Sequence, residues 1–137
     1  MIGKQELLKK LVELWGNVRN QKYTVYRGAI NWPNHDFTNI PYAVSVMMDE
    51  CSFLKEINEG ILSFEIFAPI VEEKQINDEE LDIQLSNVME VFYELGKTKN
   101  SKGNSYGAIL PGTERCIEHY DSSYNVQGLI ILVSVKF

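Results

Sequence analysis

Cys116 and His119 stand three residues apart in the segment TERCIEHY, bringing a thiol and an imidazole close together in the chain. A cysteine becomes a nucleophile when a neighbouring base takes its proton, so this spacing invites a dyad. The segment also alternates as a strand does, and strand positions three apart point to opposite faces of a sheet. The expectation is therefore a tucked-in thiol and an outward histidine. The other histidine, His35, is followed by Asp36 and preceded by Trp32 and Pro33. A histidine beside a carboxylate can ligate a metal or pass a proton. With two histidines in the whole chain and no second cluster at ligand spacing, a hydrogen-bonded loop histidine is the better reading. No cofactor is expected. The loop that holds His35 is rich in bulky groups, Trp32, Pro33 and Phe37. It serves either as a contact surface, because aromatic residues anchor interfaces, or as a small satellite core.

Two further groups imitate sites. Glu72, Glu73, Asp78, Glu79, Glu80 and Asp82 crowd carboxylates together, but negative charge at the start of a helix usually caps it and faces water. Gly96-Lys97-Thr98 ends like a phosphate-binding loop. The glycine required five residues earlier is Val91, and the motif follows a helix where it should follow a strand, so nucleotide binding is discarded. Lys97, Lys99 and Lys102 fall in the polar stretch KTKNSKGNSYG. They are read first as a soluble, mobile excursion and second as a loop facing a DNA backbone inside an assembly.

The elements that must carry these residues are legible from periodicity. Leu7, Leu11, Leu14, Trp15 and Val18 recur at helical spacing and predict an amphipathic helix ending near Gly16 and Asn17. TVYRGAI (24–30) predicts a first strand entering a long loop. YAVSVMMDECSF (42–53) and GILSFEIFAP (60–69) predict two antiparallel strands joined through KEINEG. Leu62, Phe64 and Ile66 point inward in the second of these, and Pro69 ends its pairing. Asn77, with Glu80 three residues on, predicts a capped helix whose face is Leu81, Leu85, Val88, Phe92 and Leu95, stopped by Gly96. TERCIEHY predicts another strand, DSSYN a turn, and VQGLIILVSVKF a strand in the middle of the sheet. The order helix, three strands, helix, two strands predicts an α+β domain of residues 1–137: a mainly antiparallel sheet covered by an N-terminal helix and by a second helix after the third strand.

Composition bounds the function. The chain has 137 residues, 45% of them apolar and 23% charged, which is ordinary for one core-forming domain. The longest apolar run, Leu129 to Val133, is far short of the roughly 18 residues of a membrane span. The N-terminus MIGKQELLKK does not read as a secretion signal, and two distant cysteines, Cys51 and Cys116, do not read as a disulfide framework. A net charge of −6 opposes general attraction to nucleic acid, although it suits a protein that lets DNA pass without gripping it.

The pattern LSFEIFAP, a short acidic spacer and then NDEELD resembles the tail terminator and tail-to-head joining proteins of long-tailed bacteriophages. IPYAVSVMM and the closing LIILVSVKF agree with it. The resemblance implies a non-enzymatic virion protein, made in the host cytoplasm and found in the tail and neck region. It implies a ring of itself, typically of six copies, that caps the tail tube. Its partners would be the major tail tube protein and a neck or head-completion protein, with DNA passing through the lumen and no membrane. The expected contact residues are Trp32, His35, Phe37, Pro69, Glu72, Glu73 and Lys74. Another neck or tail-completion protein, a small enzyme or ligand-binding domain using Cys116, His119 or His35, and an adaptor binding through a strand edge are the rival readings.

Overall fold

The computed structural model describes residues 2–18, 23–35, 40, 42–53, 58–70, 76–106, 108–109 and 114–137. In chain order these form α1 (Lys4–Gly16), β1 (Tyr23–Tyr26), a short 3-10 turn (Trp32–Asn34), β2 (Tyr42–Phe53), β3 (Asn58–Pro69), α2 (Asp78–Lys97), β4 (Ala108–Ile109), β5 (Arg115–Asp121) and β6 (Val126–Lys136). The six strands make one sheet in the order β1-β2-β3-β6, with β4 and β5 both paired to β6 along its far side. All neighbours are antiparallel except β1 and β2, which run parallel. The fold is the α+β arrangement expected, with two differences. One is the parallel first pair; the other is a two-residue strand, β4, beyond the polar stretch where no strand was expected.

Both helices lie on one face of the sheet, α1 over β1 and β2 and α2 over β6. That face is built from alternate residues: Val44 and Val46 of β2, Leu62, Phe64 and Ile66 of β3, and Leu129 to Val135 in steps of two along β6. Leu7, Leu8, Leu11 and Trp15 close it from α1, and the Trp15 ring meets Phe64 and Tyr23 edge-on at 5.7 and 5.1 Å. Each large side chain so enclosed contributes roughly 2 kcal/mol of transfer free energy. The centrality of β6 follows from its sequence, since only a strand paired on both sides can bury LIILV.

α2 begins where expected. The Asn77 side chain accepts from the Glu80 N–H at 3.3 Å, and three acidic residues fill the first turn. A second clamp was not legible: the fully enclosed Gln127 amide of β6 donates to the Asn77 carbonyl at 2.8 Å and accepts its N–H at 2.7 Å. This fixes the helix start to the sheet. Gly96 does not stop the helix, which runs through Lys97 to an extended Thr98, with the Thr98 N–H reaching the Leu95 carbonyl. The buried face is also rotated from the expected one. Leu81, Val88 and Leu95 are enclosed, but Gln84, Asn87 and Val91 join them while Leu85 is exposed. Asn87 turns inward because β1 offers it a partner: its side-chain amide donates to the Tyr23 hydroxyl at 2.7 Å. The stretch after α2 is an organised turn rather than a loose excursion. Asn100 Oδ1 accepts from the N–H groups of Lys102 and Asn104, and Asn100 Nδ2 ties the turn to Glu6 of α1 at 3.0 Å.

Burial pushes the Tyr23 phenol up from 10.0 to about 12; its bond to Asn87 opposes this, and Glu80 and Glu90 add to it. Tyr42, whose ring lies 5.1 Å from that of Tyr23, is pushed up by burial and then by Glu80. A phenol raised in the folded state favours folding while protonated. That contribution is whole below pH 10 and is lost as the pH rises towards 12. Alkaline titration followed by phenolate absorbance and circular dichroism should show Tyr23 ionising together with loss of structure in that window. Ionisation of all tyrosines near pH 10 with the fold intact would contradict the burial.

Candidate functional site: an aromatic corner beside an open sheet margin

The face of the sheet away from the helices carries small residues at its centre and an aromatic group at one end. A parallel neighbour needs a crossover, and the described part of the β1-to-β2 connection crosses this outer face. Ile30 and Trp32 pack there with Ala43, Phe67 and Val126, beside Tyr26. Ser45, fully enclosed on β2, donates to the carbonyl of Gly28, whose φ of +104° lets the connection turn back onto the sheet.

Register brings the aromatic group together. Phe67 of β3 stands opposite Gly128 of β6, and Gly128 opposite His119 of β5. A side chain at Gly128 would overlap the Ile66 carbonyl and lie 2.7 Å from the Phe67 ring. The bare glycine therefore lets Phe67 lie low across the sheet. The His119 ring then meets Phe67 edge-on at 5.6 Å, and Trp32 meets it edge-on from the other side at 5.1 Å. Tyr124, in the turn before β6, stacks on Trp32 at 5.5 Å with 21° between the planes. His35 reaches the same corner through β1, its Nδ1 sharing a 3.0 Å hydrogen bond with the Tyr26 hydroxyl.

Trp32 thus packs half-buried on a satellite core, one of the two readings of its loop, and His35, also half-buried, is the hydrogen-bonded loop histidine expected. Pro69 closes β3 opposite Val126, yet pairing continues one bond past it, since Ile70 N–H donates to the Asn125 carbonyl at 2.8 Å. Asp36, Phe37, Glu72, Glu73 and Lys74 lie outside the described residues. Lys97 is engaged by Glu94 at 3.0 Å and sits 4.3 Å over the Tyr93 ring, while Lys99 and Lys102 are exposed in the turn. The structure separates Cys116 from His119 as strand geometry requires. Cys116 pairs with Ile131 on the helix side and His119 with Gly128 on the outer side. Cys116 is exposed, not tucked in as expected, because α2 stops short of β5. Partial burial, and then the charge of Glu118, push its thiol up, the opposite of an activated nucleophile.

β5 itself is the least enclosed of the strands whose burial is described throughout. Arg115 through His119 are all exposed, Ile117 by half, and among the described residues its only strand partner is β6. Its outward N–H and C=O groups form an open margin, guarded by Arg115, Glu118 and Asp121. Near the other end of the sheet, an open cleft of about 270 Å³ lies beside the start of α1, with Lys4, Gln5 and Arg27 on its rim. Among the described residues no group of histidine, cysteine and carboxylate side chains gathers at metal-binding distance. The chain matches no protein-family model and no curated protein.

The Gly128 contact is directly testable. Gly128→Ala should destabilise the fold by about 2 kcal/mol or more, lowering the melting temperature by roughly 5 °C or more, because the added methyl would overlap the Ile66 carbonyl of the paired strand and press on the Phe67 ring. An unchanged melting temperature would mean that Phe67 does not lie over Gly128.

Proposed function

We propose that the protein is a structural subunit that assembles into a closed ring, of the kind that caps a phage tail tube and joins it to the neck. The observation that carries the reading is the contrast between the two margins of its sheet. β5 is seven residues long, antiparallel and exposed on both faces, whereas β1 is four residues long, parallel and backed by α1. A ring needs a heterologous contact, in which one patch of a subunit meets a different patch of the next. Two unlike margins at opposite ends of one sheet are suited to that. Strand addition along an open margin supplies main-chain hydrogen bonds, and the charges on β5 discourage indiscriminate pairing.

The resemblance of LSFEIFAP, NDEELD and LIILVSVKF to tail terminators supplies the biological setting: partners in the tail tube protein and a neck or head-completion protein, and a location in the virion. The net charge of −6 suits a lumen through which DNA slides. The work of such a subunit is assembly, and no residue is assigned a catalytic role. The aromatic corner contributes by holding the β1-to-β2 crossover and the Tyr124 turn rigidly against the sheet, so that the margins keep a fixed angle to one another.

Native mass spectrometry and negative-stain microscopy should show closed rings for the protein alone or mixed with its tube protein. Ile117→Glu, at a position half open to water, should cost little stability, within about 0.5 kcal/mol, yet abolish the rings. A strictly monomeric wild-type protein under both conditions would overturn the reading.

A further inference from the structure

α2 has a second apolar face that no described residue covers. Leu85, Met89 and Tyr93 follow one another at one-turn spacing and are 40%, 58% and 66% exposed. Isolated exposed apolar side chains are ordinary, but three in one continuous stripe are a surface with a use. The stripe lies to one side of the buried Leu81, Val88 and Leu95, so it is additional to the face that packs on the sheet.

We propose that this stripe pairs with the same stripe of a second copy, the two α2 helices running antiparallel about a two-fold axis at Met89. Charge selects this occupant and this orientation. The chain is acidic before the stripe, at Asp78, Glu79 and Asp82, and basic at its far end, with Lys97 in the last turn of α2 and Lys99 just beyond the helix. Antiparallel pairing about Met89 sets Leu85 against the second copy's Tyr93. It also brings the Asp82 turn against the second copy's Gly96 and Lys97, and the Asp78 turn near its Lys99. Acidic ends meet basic ends, and the helix dipoles are opposed favourably. Parallel pairing would set acid against acid. Gly96 adds room at the end of the stripe, where a side chain would meet nothing within 4 Å. Lys97 is held by Glu94 through a pair open to water, 52% and 45% exposed, which is weak enough to exchange for the new carboxylate. The Lys97 ammonium over the Tyr93 ring then seals the rim of the contact.

The stripe offers on the order of 300 Å² of apolar surface per copy, against the roughly 800 Å² per partner of a stable complex. The contact is therefore weak between single chains and becomes strong where many copies are held together, as when two rings meet face to face. Its symmetry is isologous and its residues are not those of the β5 margin, so it stands whether or not the ring reading does.

Cysteine cross-linking in a Cys51→Ser, Cys116→Ser background, checked for folding by circular dichroism, separates the outcomes. Met89→Cys should form a disulfide dimer with itself at least about tenfold faster than Ile83→Cys, which is also exposed but lies on another flank of α2. Leu85→Cys alone should not dimerise faster than that control, whereas Leu85→Cys mixed with Tyr93→Cys should. In the otherwise unaltered protein, Met89→Glu should shift concentrated samples towards lower mass in sedimentation velocity, and Ile117→Glu should leave the Met89→Cys cross-link intact. Cross-linking of Leu85→Cys with itself as fast as Met89→Cys would overturn the antiparallel arrangement. No excess of Met89→Cys over Ile83→Cys, or no effect of Met89→Glu on mass, would overturn the contact itself.

Discussion

The structure depends on one constraint: both helices cover the same face of the sheet, and their cover ends before β5. β6 is the hub of this arrangement, paired with β3 along its whole length and with β5 and β4 in succession on its other side. Its alternate residues Leu129, Ile131, Val133 and Val135 fill the helix side. The outer side must be satisfied by other means. At one end the β1-to-β2 crossover brings Ile30 and Trp32 down onto Phe67, and bare backbone at Gly128 makes room for that ring. In the centre the small Ser45 and Ser63 are shielded by larger neighbours in register, Met47 and Leu132 standing on either side of Ser63. Beyond them Ile117 and the β5 margin are left open.

A domain with one covered face, one corner closed by aromatics and one bare margin has its unused surface concentrated at particular places. The β5 margin and the α2 stripe differ in kind. The first offers unpaired main chain and asks for an unlike partner surface, as a heterologous ring contact does. The second offers side chains whose charges are arranged to meet their own reversal. In the assembly proposed above, they would let one small subunit build both around an axis and across a plane.

Much of the architecture could be read from the sequence because it rests on local periodicity. The bounds of β2, the inward triplet Leu62, Phe64 and Ile66, the Asn77 cap and the central position of β6 all follow from alternation, capping chemistry and apolar runs. What escaped depends on register between distant segments. The parallel direction of β1, the meeting of Trp32, Phe67 and His119, and the Gln127 clamp on Asn77 each join residues tens of positions apart, which composition does not encode. The solitary glycine within β6 was the one available sign of a close approach there. The expected face of α2 was misplaced because apolarity was counted without asking which polar residues had partners. Asn87 turns inward because Tyr23 waits for it, and Leu85 is thereby left outside. For the candidate contact residues, Trp32 and His35 were recognised as bulky and polar groups in a loop. That they pin the loop to the sheet appears only once Phe67 and Tyr26 are placed beside them.

Among the described residues the fold leaves the outer margin of β5 unpaired, and the proposed assembly fills it with another subunit. Hydrogen exchange resolved to single amides, measured on the dilute protein and again on the protein assembled as proposed above, reads this out. The outward-pointing amides of β5 should exchange orders of magnitude faster than those of β3 and β6 in the dilute protein, and become protected on assembly. Protection of β5 equal to that of β3 in the dilute protein, with no change on assembly, would contradict it.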